Sequence, residues 1–151
     1  MNKEQILNRM RALCSKGEKC RSDIFKKIES YNIDSPQELV DILCRENFID
    51  DRRYAAAFAR DKSSLQGWGE MKIRLALRRK GIEDTTIEEA LDGIDCEQSQ
   101  KKLVSILKAK YKLLEREKDQ DVRNAKLFRF AMGRGYKYEQ IKKAYDIIRS
   151  N

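Results

Sequence analysis

Ile73-Arg74-Leu75-Ala76-Leu77-Arg78-Arg79-Lys80-Gly81-Ile82 reads as a helix that stops at a glycine. Ile73 and Leu77 lie one helical turn apart and share a face. Gly81 follows a run of basic residues, where a helix closes through the left-handed region that glycine tolerates. Ile82 then brings back an apolar side chain five positions after Leu77. The same four-then-five spacing recurs on both sides. Ile24, Ile28 and Ile33 precede it, with Asn32 in the glycine position. Leu127, Ala131 and Tyr136 follow it, with Gly135 there.

Each turn leads into a second apolar seam. Ile87, Ala90, Leu91 and Ile94 match Ile141, Ala144, Tyr145 and Ile148 in register, and Leu39, Ile42 and Leu43 match them after a one-residue insertion near Pro36. A longer helical run precedes each helix–turn–helix, so the period is about fifty residues. The expected fold is all-α: three tandem three-helix units, 1–49, 50–96 and a basic 97–151, in a curved, elongated stack. Expected helices run roughly 3–16, 21–31, 36–47, 51–66, 70–80, 85–95, 97–117, 121–133 and 138–149. Ser35-Pro36-Gln37-Glu38 predicts a serine cap with proline at the first helical position. Thr85-Thr86-Ile87-Glu88 offers a capping box, with Asp84 as a rival cap. Asp50 and Asp51 suit the positive end of the next helix.

The composition agrees, with 38% charged residues, one proline and seven glycines in 151 residues. No apolar run approaches the roughly 20 residues that cross a bilayer, so a soluble, cytoplasmic, monomeric protein is expected. Cys14, Cys20, Cys44 and Cys96 form no metal-ligand spacing, and histidine is absent. Without histidine the usual general base near neutral pH is missing. Neither a catalytic residue, a metal site nor a cofactor is expected, and the protein is read as a non-enzyme. Gly67-Trp68-Gly69 lacks phosphate-loop spacing and reads as a turn between helices. Trp68 either packs across that turn or faces a partner.

Charge is distributed unevenly. Residues 1–50 carry 9 basic and 9 acidic side chains, whereas residues 99–151 carry 15 basic and 6 acidic, a net +9. A polyanionic partner is expected for the last third. Candidate contact residues are Lys72, Arg74, Arg78 and Arg79 on one helix, then Lys101, Lys108 and Lys112 on a shared face, with Arg129, Arg134, Lys142 and Lys143 beyond.

Phe48-Ile49-Asp50-Asp51-Arg52-Arg53-Tyr54-Ala55-Ala56-Ala57-Phe58, then Gly67-Trp68-Gly69, then Lys72 through Ile82, together resemble the signature of the RecX family of bacterial recombination regulators. The signature residues are Asp50, Asp51, Tyr54, Phe58, Gly67, Gly69, Ile73, Leu77, Lys80, Gly81 and Ile82. Arg21-Ser22-Asp23-Ile24 resembles the family's first-repeat opening. Two positions depart from the pattern: in the third unit Ala131 stands where a larger apolar residue is usual, and in the second Glu70 follows the Gly67-Trp68-Gly69 turn where proline is common.

The resemblance implies three tandem three-helix units and no catalysis. It implies a partner, the RecA recombinase or its filament on single-stranded DNA. The implied role is negative regulation, restraining recombination and the SOS response, with single- or double-stranded DNA as a further partner. The rival reading is a general nucleic-acid-binding helical protein without a RecA partner.

Overall fold

The computed structural model describes residues 1–150 and is all-helical across them. Nine helices occur among the described residues: α1 (Lys3–Lys16), α2 (Arg21–Glu29), α3 (Pro36–Arg45), α4 (Asp51–Ser64), α5 (Glu70–Arg79), α6 (Asp84–Asp92), α7 (Cys96–Leu113), α8 (Gln120–Gly133) and α9 (Tyr138–Ser150). None of them is long and apolar enough to cross a membrane.

The repeated spacing is a repeated helix ending. Asn32, Gly81 and Gly135 all have positive φ, at 54°, 77° and 97°. After α5 the Gly81 amide donates to the Arg78 carbonyl at 2.9 Å, and the Ile82 amide to the Leu77 carbonyl at 3.2 Å. After α8 the Gly135 amide donates to Met132 at 2.9 Å, and the Tyr136 amide to Ala131 at 3.3 Å. This paired closure satisfies carbonyls that a helix end leaves free. It also explains the step of five, because the closing pair brings the residue after the glycine back onto the helix. Asn47, with φ 63°, ends α3 by the same pair of bonds, to Cys44 and Leu43.

Two capping expectations fail. Ser35 adopts φ 55°, ψ 59° and its side chain caps nothing, although Pro36 does open α3. With that left-handed backbone its side chain makes no capping hydrogen bond, and the Glu38 amide reaches the Ser35 carbonyl instead, at 3.1 Å. Helix α6 starts at Asp84, so Thr85 and Thr86 lie inside its first turn. Its first helical bond, from the Ile87 amide to the Glu83 carbonyl at 3.0 Å, makes neither Thr85 nor Asp84 the capping residue. Several helices also end two to four residues early, since the turn closures consume the last residues of the periodic runs.

The chain forms two compact units, Met1–Ala57 with Leu77–Ala90, and Phe58–Ala76 with Leu91 onward. In the first, α3 packs on α1 and α2. Its core holds Ile6, Met10, Ile24, Ile28, Leu39 and Leu43, all at most 1% exposed. In the second, α7, α8 and α9 pack mutually around Leu103, Leu107, Leu127, Ala131, Tyr136 and Ile141. Each fully buried large aliphatic side chain stabilises by roughly 1.5–3 kcal/mol. The second seam matches as well: Ile87, Leu91, Ile141 and Tyr145 are buried where Leu39 and Leu43 are.

Candidate functional site

In the first unit, signature residues from three stretches meet. Asp50 precedes α4, and its Oδ1 accepts from the Arg52 and Arg53 amides at 2.9 and 3.2 Å. Asp51 points elsewhere and accepts from the Arg21 amide at the head of α2, at 2.9 Å. The two adjacent carboxylates therefore serve two different helix ends. The Ser22 hydroxyl donates to the Lys80 carbonyl at 2.6 Å, and the Lys80 ammonium donates to Asp23 at 2.8 Å. Burial alone would raise the Asp23 carboxyl. Hydrogen bonds from Lys80 and Cys20, with the Lys80 charge, outweigh it and hold that carboxyl below its ordinary range. The Asp23 bond in turn raises Lys80. Tyr54 is buried, and burial pushes its hydroxyl up.

In the second unit, the 67–69 turn rests on the 134–136 turn, backbone against backbone. The Gly69 amide donates to the Arg134 carbonyl at 2.7 Å and the Met71 amide to the Gly135 carbonyl at 3.0 Å. The Tyr136 hydroxyl donates to the Gly67 carbonyl at 3.1 Å. A Cβ on Gly69 would lie 2.5 Å from the Gly135 oxygen, and one on Gly135 would lie 2.5 Å from the Lys72 nitrogen. Glycine is required there by proximity. The Arg134 guanidinium ties the Gln66 carbonyl at 2.9 Å, so this candidate contact residue also holds the turn.

The remaining candidate cations divide by partner. Arg74 bonds Glu70 at 2.8 Å within α5, and Arg78 bonds Asp84 at 3.2 Å. Arg79, Arg129, Lys142 and Lys143 are exposed. Lys101, Lys108 and Lys112 line one shallow groove with Val104, Ser105 and Ala109. At 100° per residue they fall within about 40° of one another, on the side of α7 away from buried Leu103 and Leu107. A second groove of about 480 Å³ adds Arg60, Ser63, Ser64 and Lys102 beside Lys101. Among the described residues, none of these three stripe lysines is in an ion pair. Among the described residues no cluster of His, Cys, Asp or Glu is placed to hold a metal ion.

Sequence reasoning did not single out Lys62, Lys102, Lys110 or Phe130. The Lys62 and Lys72 ammonium groups lie 4.7 and 4.4 Å from the Trp68 ring centroid. Phe58 meets Trp68 edge-on at 6.1 Å. Lys110 and Arg134 lie 4.8 and 5.5 Å from the Phe130 centroid. Trp68 thus does pack across its turn, and cations dress it. No periodicity links Lys62 to Trp68, because the turn between them breaks the helical phase.

Residues 50–91 match the family description "RecX, second three-helix domain". A "Regulatory protein RecX" of Clostridium botulinum is 35% identical over 116 residues, which cover 76% of this chain and 54% of that protein. Its namesake in Clostridium tetani is 32% identical over 130 residues, 84% of this chain and 59% of that one. The chain thus spans little more than half the length of these relatives. The crystal structure of RecX from Lactobacillus salivarius superposes with a TM-score of 0.86 at 20% identity, covering 99% of this chain and 97% of that one. A crystal structure titled regulatory protein RecX gives 0.86 at 23% identity, over 95% and 71%. These two show a shared helical fold, and the matched signature in 50–91 carries the assignment: the chain belongs to the RecX family of regulatory proteins.

Proposed function

We propose that this protein is a non-enzymatic negative regulator of the RecA recombinase. It binds RecA or the RecA filament on single-stranded DNA and restrains recombination and the SOS response. Modules 1–49, 50–96 and 97–151 engage successive subunits of the filament. The observation that carries the reading is the unpaired lysine stripe of α7, Lys101, Lys108 and Lys112, in a chain of the RecX family. Unpaired cations on one face suit a polyanionic surface, either the filament's acidic side or its DNA. Inhibition requires tighter binding to an inactive or disassembling filament than to an active one.

The test is single-strand-dependent ATP hydrolysis by the host RecA, titrated with this protein at moderate salt. Hydrolysis is expected to fall at substoichiometric ratios. Neutralising Lys101, Lys108, Lys112, Lys142 and Lys143 together is expected to shift the inhibitory midpoint at least about tenfold, roughly 1.4 kcal/mol. Full inhibition by that variant, shown to be folded, removes the stripe from the mechanism. No inhibition by the wild type, alongside salt-sensitive DNA binding, favours a general nucleic-acid-binding protein.

A further inference from the structure

Ser63, near the end of α4, is out of place. It is 6% exposed, and among the described residues it is the one buried side chain outside the apolar and aromatic set. Buried hydroxyls are normally hydrogen-bonded, and a helical serine has its own helix to bond. Ser64 does so, donating to the Arg60 carbonyl at 2.8 Å. The Ser63 side chain bonds nothing among the described residues. Nor is its oxygen sealed from solvent: the sealed side-chain atoms that lack a partner there are Arg123 Nε and Arg134 Nε. Ser63 lines the groove of about 480 Å³ between the end of α4 and the start of α7, inside the second unit, so its hydroxyl opens there.

The rest of the groove is in the same state. Ser99 and Ser105 line it from α7, and among the described residues neither side chain is hydrogen-bonded. Lys101 and Lys102 line it too, and among the described residues neither is in an ion pair. Arg60 is a third cation, held only by Asp61 at 3.5 Å with both side chains largely exposed. The one carboxylate lining the groove, Asp95, is engaged by the Gln98 amide at 3.1 Å.

Free hydroxyls beside an excess of positive charge suit an oxyanion with several acceptor oxygens. A phosphomonoester offers three, with a charge of about −1.5 to −2 near neutral pH. A backbone phosphodiester carries a single charge. It also has a sugar on each side, which keeps it from a hydroxyl sunk below the surface. The volume suits a small molecule, whose sites measure roughly 300–1,000 Å³. We propose that Ser63, Ser99, Ser105, Lys101 and Lys102 form a binding site for a small phosphomonoester, a phosphorylated metabolite and not a nucleic-acid strand. Lys101 also lines the groove of the α7 stripe, whereas Lys108 and Lys112 line that groove alone. The site needs no RecA, so its failure and that of the RecA reading are distinguishable.

Ribose 5-phosphate is titrated calorimetrically into the protein alone, at about pH 7.5, where a monoester is mostly dianionic. Saturable binding at one site is expected, and none by ribose. Ser63→Ala removes a hydroxyl that bonds nothing in the fold. It should weaken binding about tenfold, as loss of a hydrogen bond to a charged group does, and leave thermal unfolding unchanged. Lys102→Gln should weaken binding by a similar factor. Lys108→Gln with Lys112→Gln should change it by less than about threefold, since salt screens charges outside the groove. Methyl phosphate should compete, and dimethyl phosphate, the matching diester, should not.

Absence of saturable binding up to about 10 mM ribose 5-phosphate overturns the proposal. So does wild-type affinity in Ser63→Ala. An equal loss in Lys102→Gln and in the Lys108/Lys112 pair reduces the effect to general positive charge and sinks the site. Equal competition by dimethyl and methyl phosphate assigns the groove to a phosphodiester strand instead.

Discussion

Single atoms decide the turn contact of the second unit. At Gly69 an added Cβ has nowhere to go, because the atoms facing it are the Gly135 carbonyl oxygen and the Tyr136 nitrogen, both backbone. Gly69→Ala is expected to lower stability by about 2–4 kcal/mol, the range of substitutions that force apart a packed backbone. Gly133 is the internal control. It closes α8, and a Cβ there meets nothing within 4 Å. Gly133→Ala should be neutral or stabilising by up to about 0.5 kcal/mol, since alanine is the better helix former. Urea unfolding of the two variants checks the pair, and equal losses would show that the 67–69 contact does not hold the turn. The sequence showed both glycines but not which one was pressed against backbone. Nothing in residues near Gly69 announces a turn that lies so far along the chain.

At the scale of elements, Asp50 is worth one cap. It accepts from two amides at the head of α4, and loss of such a carboxylate costs about 1 kcal/mol. Asp50→Ala is expected to lower the unfolding free energy by about that amount, and Asp50→Asn to retain most of it. Thermal unfolding of both variants measures the difference; equal losses would mean that the side-chain oxygen is not the operative group. Helix existence was legible throughout, because apolar residues at steps of three and four mark the buried faces. The glycine and asparagine ends were legible too, since few residues adopt positive φ. Caps were less so. Ser35 has the right chemistry, but its backbone is left-handed, and sequence records the side chain and not the dihedral. The lysine stripe of α7 followed from spacing on one helix. The Lys62–Trp68–Lys72 cluster could not, because it joins a helix, a turn and another helix.

At the scale of the molecule, the Lys80–Asp23 bond makes stability depend on pH. Asp23 is held below its ordinary range, so its contribution is complete above a carboxylate pKa of about 3.9 and is lost as pH falls through the lower folded value. Lys80 is raised, so its contribution is complete below about 10.4 and is lost as pH rises through the higher folded value. Both side chains are partly exposed to solvent, which limits the pair to about 0.5–1 kcal/mol. Asp23→Asn should therefore destabilise by that much at pH 7, with the gap to wild type shrinking as pH drops below about 4. Urea midpoints across that range decide it, and a gap constant down to pH 3 would exclude titration of Asp23 as its source. The turn-on-turn contact has a different consequence, for inheritance. Where two chain segments meet through backbone, no side chain on one can compensate for bulk gained on the other. The two turns can drift only by staying small together, while the exposed lysines of α7 meet no such backbone limit. A graft of a relative's residues in place of 97–150 should then depend first on the bulk that arrives at position 135, whatever charges the graft brings with it.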